Sequence, residues 1–207
     1  MTVSLVAAMC VVMTSCLKND NTSYVSAVEP AAEDSLLQAF IDSTGYNMVT
    51  TSDSLYTYTP KDGGGFELVG FKLPYLYYEV VDEGDKSPDP IEIPYKDLGS
   101  PRADDALLYG NLTDTTEIIS VTYTGTLLNG KVFDKTDEGK PYFQQLFRLL
   151  IPWRVLIGKV GRGGHIRILT PSLYGYANSQ QPGIPVNSPL FFDIHVLGFV
   201  NDSRYAQ

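Results

Sequence analysis

Histidine, cysteine and clustered positive charge are scarce in this sequence. Two cysteines occur in 207 residues, Cys10 in the first apolar stretch and Cys16 just after it. The body of the chain therefore has no disulfide framework, no cysteine nucleophile and no thiolate metal site. His165 and His195 are the only histidines. His165 lies next to Ile166 and His195 between Ile194 and Val196 on alternating strands, which sends both to the face opposite the core, so both are expected at the surface and not in catalysis. Acidic pairs such as Asp104-Asp105 lack ligand spacing, and no metal is expected. Lys and Arg number 15 against 24 Asp and Glu, giving −9, and they form no patch. That argues against a nucleic-acid partner. No apolar run is long enough to span a bilayer as a helix.

The first apolar run, Val3 to Met13, has the length of a secretory signal core. It ends in "VMTSC", which resembles a bacterial lipobox. The resemblance implies that residues 1–15 are a lipoprotein signal peptide and that Cys16 is lipidated. No Lys or Arg precedes the run, so the true start is expected upstream. Residues 16–30 are polar and aperiodic and read as a flexible tether.

Residues 31–112 read as an N-terminal extension. Leu36, Leu37, Phe40 and Ile41 recur at helical spacing, Asp34 or Ser35 can cap the start, and Gly45 can end it, predicting a helix over Asp34 to Thr44. Two short strands flank Gly63-Gly64-Gly65, and "LYYEVVDEG" predicts a further strand. Prolines and glycines between Asp85 and Asn111 predict a long loop.

Residues 113–201 read as an antiparallel sheet protein. Ile119, Val121 and Tyr123 alternate on one strand, Ile166 and Ile168 on another, and Leu190, Phe192, Ile194 and Val196 on the last. One short helix is expected, from Pro152 through Trp153 to about Ile157. In "VTYTGTLLNGKVFD" a two-residue turn at Asn129-Gly130 would pair Leu128 with Lys131 and Gly125 with Asp134. Tyr123 and Asp134 then share a face and can form a hydroxyl–carboxylate hydrogen bond, which predicts a buried, bonded Asp134. Strict alternation sends Phe133 to the other face unless the strand bulges at Gly125.

"VTYTGTLLNGKVFD", "KPYF", "LIPW", "KVGRGGHIRILTPSLYGYA" and "GIPVNSPLFFDIHVLGF", in that order, resemble the successive blocks of the FK506-binding type of peptidyl-prolyl cis/trans isomerase. The region before them is similar to exported lipoprotein members of that family from Bacteroidetes-type bacteria. The resemblance implies an α+β fold: an antiparallel sheet curved around one short helix, with an aromatic pocket between them. It assigns Tyr123, Asp134 and Tyr176 to catalysis. It assigns Phe133, Tyr142, Leu150, Ile151, Trp153, Ile184 and Phe192 to substrate binding, with Trp153 as the floor. The Tyr176 hydroxyl and the Ile151 backbone N–H would donate to the ligand. Proline-containing polypeptides and FK506-type macrolides are the implied partners, the chain is expected to be a monomer in the cell envelope, and no cofactor is implied.

Several positions depart from the family pattern. The segment from Asp134 to Pro141 is short and lacks the family's arginine, "LIPW" lacks a glycine before its tryptophan, Ala177 replaces a glycine, and Val186 replaces a proline. A binding module that turns over poorly and a structural envelope lipoprotein are the competing readings.

Overall fold

The computed structural model describes residues 25–60, 64–85 and 117–201. The expected signal peptide, Cys16, most of the tether and nearly all of the 85–111 loop lie outside the described residues. Helix α1 spans Pro30–Thr44. It begins four residues before the expected start because Pro30, with its fixed φ and no N–H, opens the first turn. Gly45 ends it in the left-handed conformation (φ 68°), its N–H donating to Ile41 O. Residues just before α1 do not behave as a tether. The carbonyls of Val25 and Ser26 accept hydrogen bonds from Asn178 Nδ2 and Asn187 Nδ2.

Nine strands follow among the described residues: β1 (Val49–Thr50), β2 (Ser54–Pro60), β3 (Phe66–Lys72), β4 (Tyr77–Asp82), β5 (Glu117–Leu127), β6 (Val132–Lys135), β7 (Tyr142–Gln145), β8 (His165–Thr170) and β9 (Leu190–Asn201). β2 and β3 form a separate antiparallel hairpin. The main sheet runs β1-β4-β8-β9-β5-β6, with β7 pairing the first half of β5. Thus β4, placed in the extension on sequence, is part of the same sheet, next to β8. A break near residue 113 divides the sequence but not the sheet.

Helix α2 spans Ile151–Leu156, with Pro152 at its start, and leads into a single 3₁₀ turn at Ile157–Lys159. It covers one face of the sheet. There Trp153, Leu156 and Ile157 share a core with Ile119, Val121, Ile166, Ile168, Phe192, Ile194 and Val196. Alternation along the strands sends Leu169 and Phe191 to the opposite face. Helix α1 covers them through Leu37, Phe40 and Ile41. The helix is also tied by a polar link: Glu33, 4% exposed, accepts the Ser172 N–H at 2.7 Å. Among the described residues no helix is long and apolar enough to cross a membrane.

Candidate active site

The hairpin β5–β6 carries the first three site residues, and its register explains how they meet. Gly130 N donates to Leu127 O and Leu127 N to Lys131 O, so the loop holds three residues, Leu128 to Gly130, rather than the expected two. Gly130 has φ 81°, which glycine adopts without steric cost. Thr126 pairs with Val132, and the next pair is Gly125 with Asp134, so Phe133 is an extra residue in a bulge. The longer loop and the bulge cancel, and the Gly125–Asp134 pairing expected from the shorter turn is kept.

The bulge frees Phe133 from strict alternation. Its ring lies across Gly125, where a Cβ would stand 2.6 Å from Cζ, so glycine leaves room for the ring in this position. From there Phe133 meets Phe192 edge-on, at 5.7 Å and 88°. Tyr123 Oη donates to Asp134 Oδ2. Asp134 itself is exposed, not buried as expected, because it sits on an edge strand near the end of the ladder. Thr136, opposite Tyr123 in the continued register, exchanges bonds with the Tyr123 backbone: Thr136 N donates to Tyr123 O at 3.0 Å and Thr136 Oγ1 accepts from Tyr123 N at 3.2 Å. Sequence reasoning missed this positioning residue, although extending the same pairing by two residues would have found it.

The remaining residues arrive from four other segments. Trp153, on the first turn of α2, is 3% exposed. It meets Tyr123 edge-on at 5.1 Å and 87°, and Phe192 at 5.3 Å and 80°. Tyr142, the first residue of β7, makes an edge contact with Tyr123 at 5.7 Å. A tight turn closed by Ile184 N donating to Gln181 O brings buried Ile184 into the same cluster, with Gly183 next to Phe133. Leu150, Ile151 and Tyr176 are half-buried and pack on the same core. As the first residue of α2, Ile151 has no intrahelical acceptor for its N–H. The nine apolar and aromatic residues that the resemblance assigned therefore converge on one cluster, and Asp134 joins it through Tyr123.

Burial, followed by the Asp134 carboxylate that accepts its proton, pushes the Tyr123 hydroxyl well above the usual tyrosine range. Burial does the same to Tyr176, with Asp134 and Tyr142 adding to it. Both hydroxyls stay neutral and able to donate near pH 7. The cluster thus offers edge-on aromatic walls of large apolar area and two hydroxyl donors at its rim. Such walls and donors suit an apolar ring beside a polar carbonyl.

Residues 111–197 match a family model described as FKBP-type peptidyl-prolyl cis-trans isomerase. The matched segment contains all of the site residues described above, from Tyr123 to Phe192. A peptidyl-prolyl cis-trans isomerase of Saccharomyces cerevisiae is 39% identical over 85 residues, covering 40% of this chain and 21% of the relative. The FKBP-type isomerase FkpA of Buchnera aphidicola is 37% identical over 91 residues, covering 44% of this chain and 37% of the relative. The chain thus spans well under half the length of these relatives. The crystal structure of FkpA from Escherichia coli shares the fold, with a TM-score of 0.50 over 84% of this chain and 62% of that one, at 21% identity.

Within the matched segment, Ala177 is strained. It follows Tyr176 at φ 48°, where an L residue crowds its Cβ against the backbone. Ala177 N donates to Ser172 O at 2.8 Å, and its carbonyl accepts from Asn187 N at 2.7 Å, which holds it there. Ala177→Gly should raise stability by about 1 kcal/mol in urea unfolding.

Proposed function

We propose that the chain is a peptidyl-prolyl cis/trans isomerase of the cell envelope. It acts on X–Pro bonds of exported or envelope proteins, assists their folding, and is held to a membrane by lipid on Cys16. The observation that carries the enzymatic part is the aromatic cluster around Trp153 with the Tyr123–Asp134 pair at its rim. Rotation about an X–Pro amide faces a barrier of roughly 20 kcal/mol, set by conjugation that keeps the bond planar. No bond is made or broken, so the protein must hold the twisted amide better than the planar one. A proline ring seated against Trp153, Phe133 and Phe192 draws the amide out of water, which weakens solvation of the planar carbonyl. Tyr176 then donates to a ligand carbonyl, and the Ile151 N–H supplies a second donor. Tyr123 anchors Asp134 at the wall, where its charge acts on the amide dipole. Each tenfold in rate requires about 1.4 kcal/mol of preference for the twisted state.

Kinetics on X–Pro peptides tests these roles. Asp134→Ala should lower kcat/KM by roughly tenfold. Tyr123→Phe, which keeps the ring and removes only the hydroxyl, should lower it about threefold, the loss of a net hydrogen bond of under 1 kcal/mol. Unchanged values in both would remove the pair from the mechanism. A second reading, a binding module for proline segments with poor turnover, is favoured by Asp134, which is exposed and meets a neutral hydroxyl instead of a cation. Tight macrolide binding with no catalysis would select it.

The lipoprotein part rests on "VMTSC", and the grouping with exported lipoproteins of Bacteroidetes-type bacteria rests on the likeness of the region before residue 117. Cys16→Ala should release the protein from membranes of its own host, as read by fractionation. An unlipidated, water-soluble native protein would remove the anchor.

A further inference from the structure

The face of the sheet away from the aromatic cluster holds both histidines of the chain. Ladder pairing sets His165 of β8 directly opposite His195 of β9, and Arg167 opposite Asp193. All four point to one face, because they alternate with Ile166 and Ile194, which are fully buried on the other. The expectation of two surface histidines holds for His195, whose side chain is 54% exposed, and fails for His165, at 14%. His165 is covered by its partners: the two imidazoles stack at 3.9 Å, and His165 Nε2 is hydrogen-bonded to Asp193 Oδ1 at 2.6 Å.

We propose that His165, Asp193 and His195 form a binding site for a divalent transition metal of the zinc class. One donor atom from each of the three residues lies within 4.8 Å of the other two. Two imidazoles and one carboxylate are a ligand set that zinc accepts, with water in the fourth position on the open side. Imidazole nitrogen disfavours the hard cations magnesium and calcium.

The geometry is close to what such an ion needs. Tetrahedral zinc with bonds of about 2.0–2.2 Å places its donors about 3.3 Å apart. Asp193 Oδ1 stands 3.7 Å from His195 Nε2 and 2.6 Å from His165 Nε2, so one distance must shorten and the other lengthen by well under 1 Å. Stacked rings do not share a plane, so one must tilt for both lone pairs to converge. His195, half in solvent, has the freedom to do so. Hydrogen bonding alone accounts for His165 but leaves His195 Nε2 too far from the same oxygen to be bonded.

The surroundings favour a cation and orient the carboxylate. Arg167 Nε donates to Asp193 Oδ2 at 3.0 Å, which fixes the carboxylate and turns Oδ1 toward the histidines, as outer partners of metal ligands do. The guanidinium is itself engaged by Glu79 Oε2 at 3.0 Å and lies over the Tyr46 ring at 4.2 Å. Two carboxylates against one guanidinium leave this face with one net negative charge when the histidines are neutral. Sequence spacing did not show the site, because His165 is separated from Asp193 and His195 by the whole β8–β9 connection and meets them only through the ladder.

Titrating Zn²⁺ alone into the metal-stripped full chain in a calorimeter tests this. One equivalent should bind, and His195→Ala should weaken binding by roughly tenfold or more. The exposed His195 side chain leaves no cavity when removed, so that variant keeps the fold. His165→Ala should weaken binding similarly, and Co²⁺ bound in place of Zn²⁺ should give the visible absorption of a tetrahedral site. No saturable binding would overturn the proposal. So would affinity unchanged in His195→Ala, which would place the ion elsewhere, for instance on Cys10 or Cys16.

Discussion

Trp153→Ala should give the largest loss of any single change in the aromatic cluster: about 100-fold in kcat/KM on X–Pro peptides and about 3–5 kcal/mol in stability. The indole is 3% exposed and touches both Tyr123 and Phe192 edge-on. Removing it opens a cavity under the place where a proline ring would sit and frees the walls to collapse. Trp153→Phe separates the two effects, because it keeps an aromatic floor and most of the packing. It should recover most of the stability and only part of the turnover, measured below the lowered Tm. Turnover unaffected by Trp153→Ala in a folded sample would place the substrate elsewhere.

Gly125→Ala should weaken binding of proline ligands by about tenfold while leaving the protein folded. The new Cβ would meet the far end of the Phe133 ring at 2.6–2.7 Å, and that end can swing away where backbone could not. The cost to stability should therefore stay near the lower end of the 1–3 kcal/mol typical of overpacking, about 1 kcal/mol. What is lost is the edge contact of Phe133 with Phe192 and one wall of the cradle. Proton NMR should show the Phe133 ring signals shifted. Phe133→Ala should weaken binding similarly, and in that background Gly125→Ala should have little further effect, because the two changes remove the same wall. Additive losses would contradict the explanation.

The parts of the fold that the sequence makes legible are those with local, periodic causes. Ile166 and Ile168, and the run Leu190, Phe192, Ile194 and Val196, mark β8 and β9 by alternation, and Gly45 marks the end of α1. Non-local relations are hidden. Nothing in "LYYEVVDEG" says that β4 will pair with β8 some ninety residues later, and nothing near Val25 or Ser26 says that Asn178 and Asn187 will hold them. The start of α1 is missed for a local reason: Pro30 reads as a tether residue when it is the first residue of the helix. At the site, alternation and turn chemistry give Tyr123 beside Asp134, and glycine at 125 signals the bulge. The three-residue loop is not visible, because Asn129-Gly130 suits a two-residue turn equally well. Exposure of Asp134 is not visible either, since it depends on β6 being the sheet edge.

The central claim is that this aromatic cluster speeds rotation of X–Pro bonds. The measurement that tests it most directly is the cis/trans exchange rate of a short X–Pro peptide, followed by NMR exchange spectroscopy with the full chain at substoichiometric concentration. Uncatalysed exchange takes tens to hundreds of seconds. Exchange fast enough to give cross-peaks within about a second, and suppressed by one equivalent of an FK506-type macrolide, is the result expected. Exchange that stays at the uncatalysed rate, with or without macrolide bound, would contradict it.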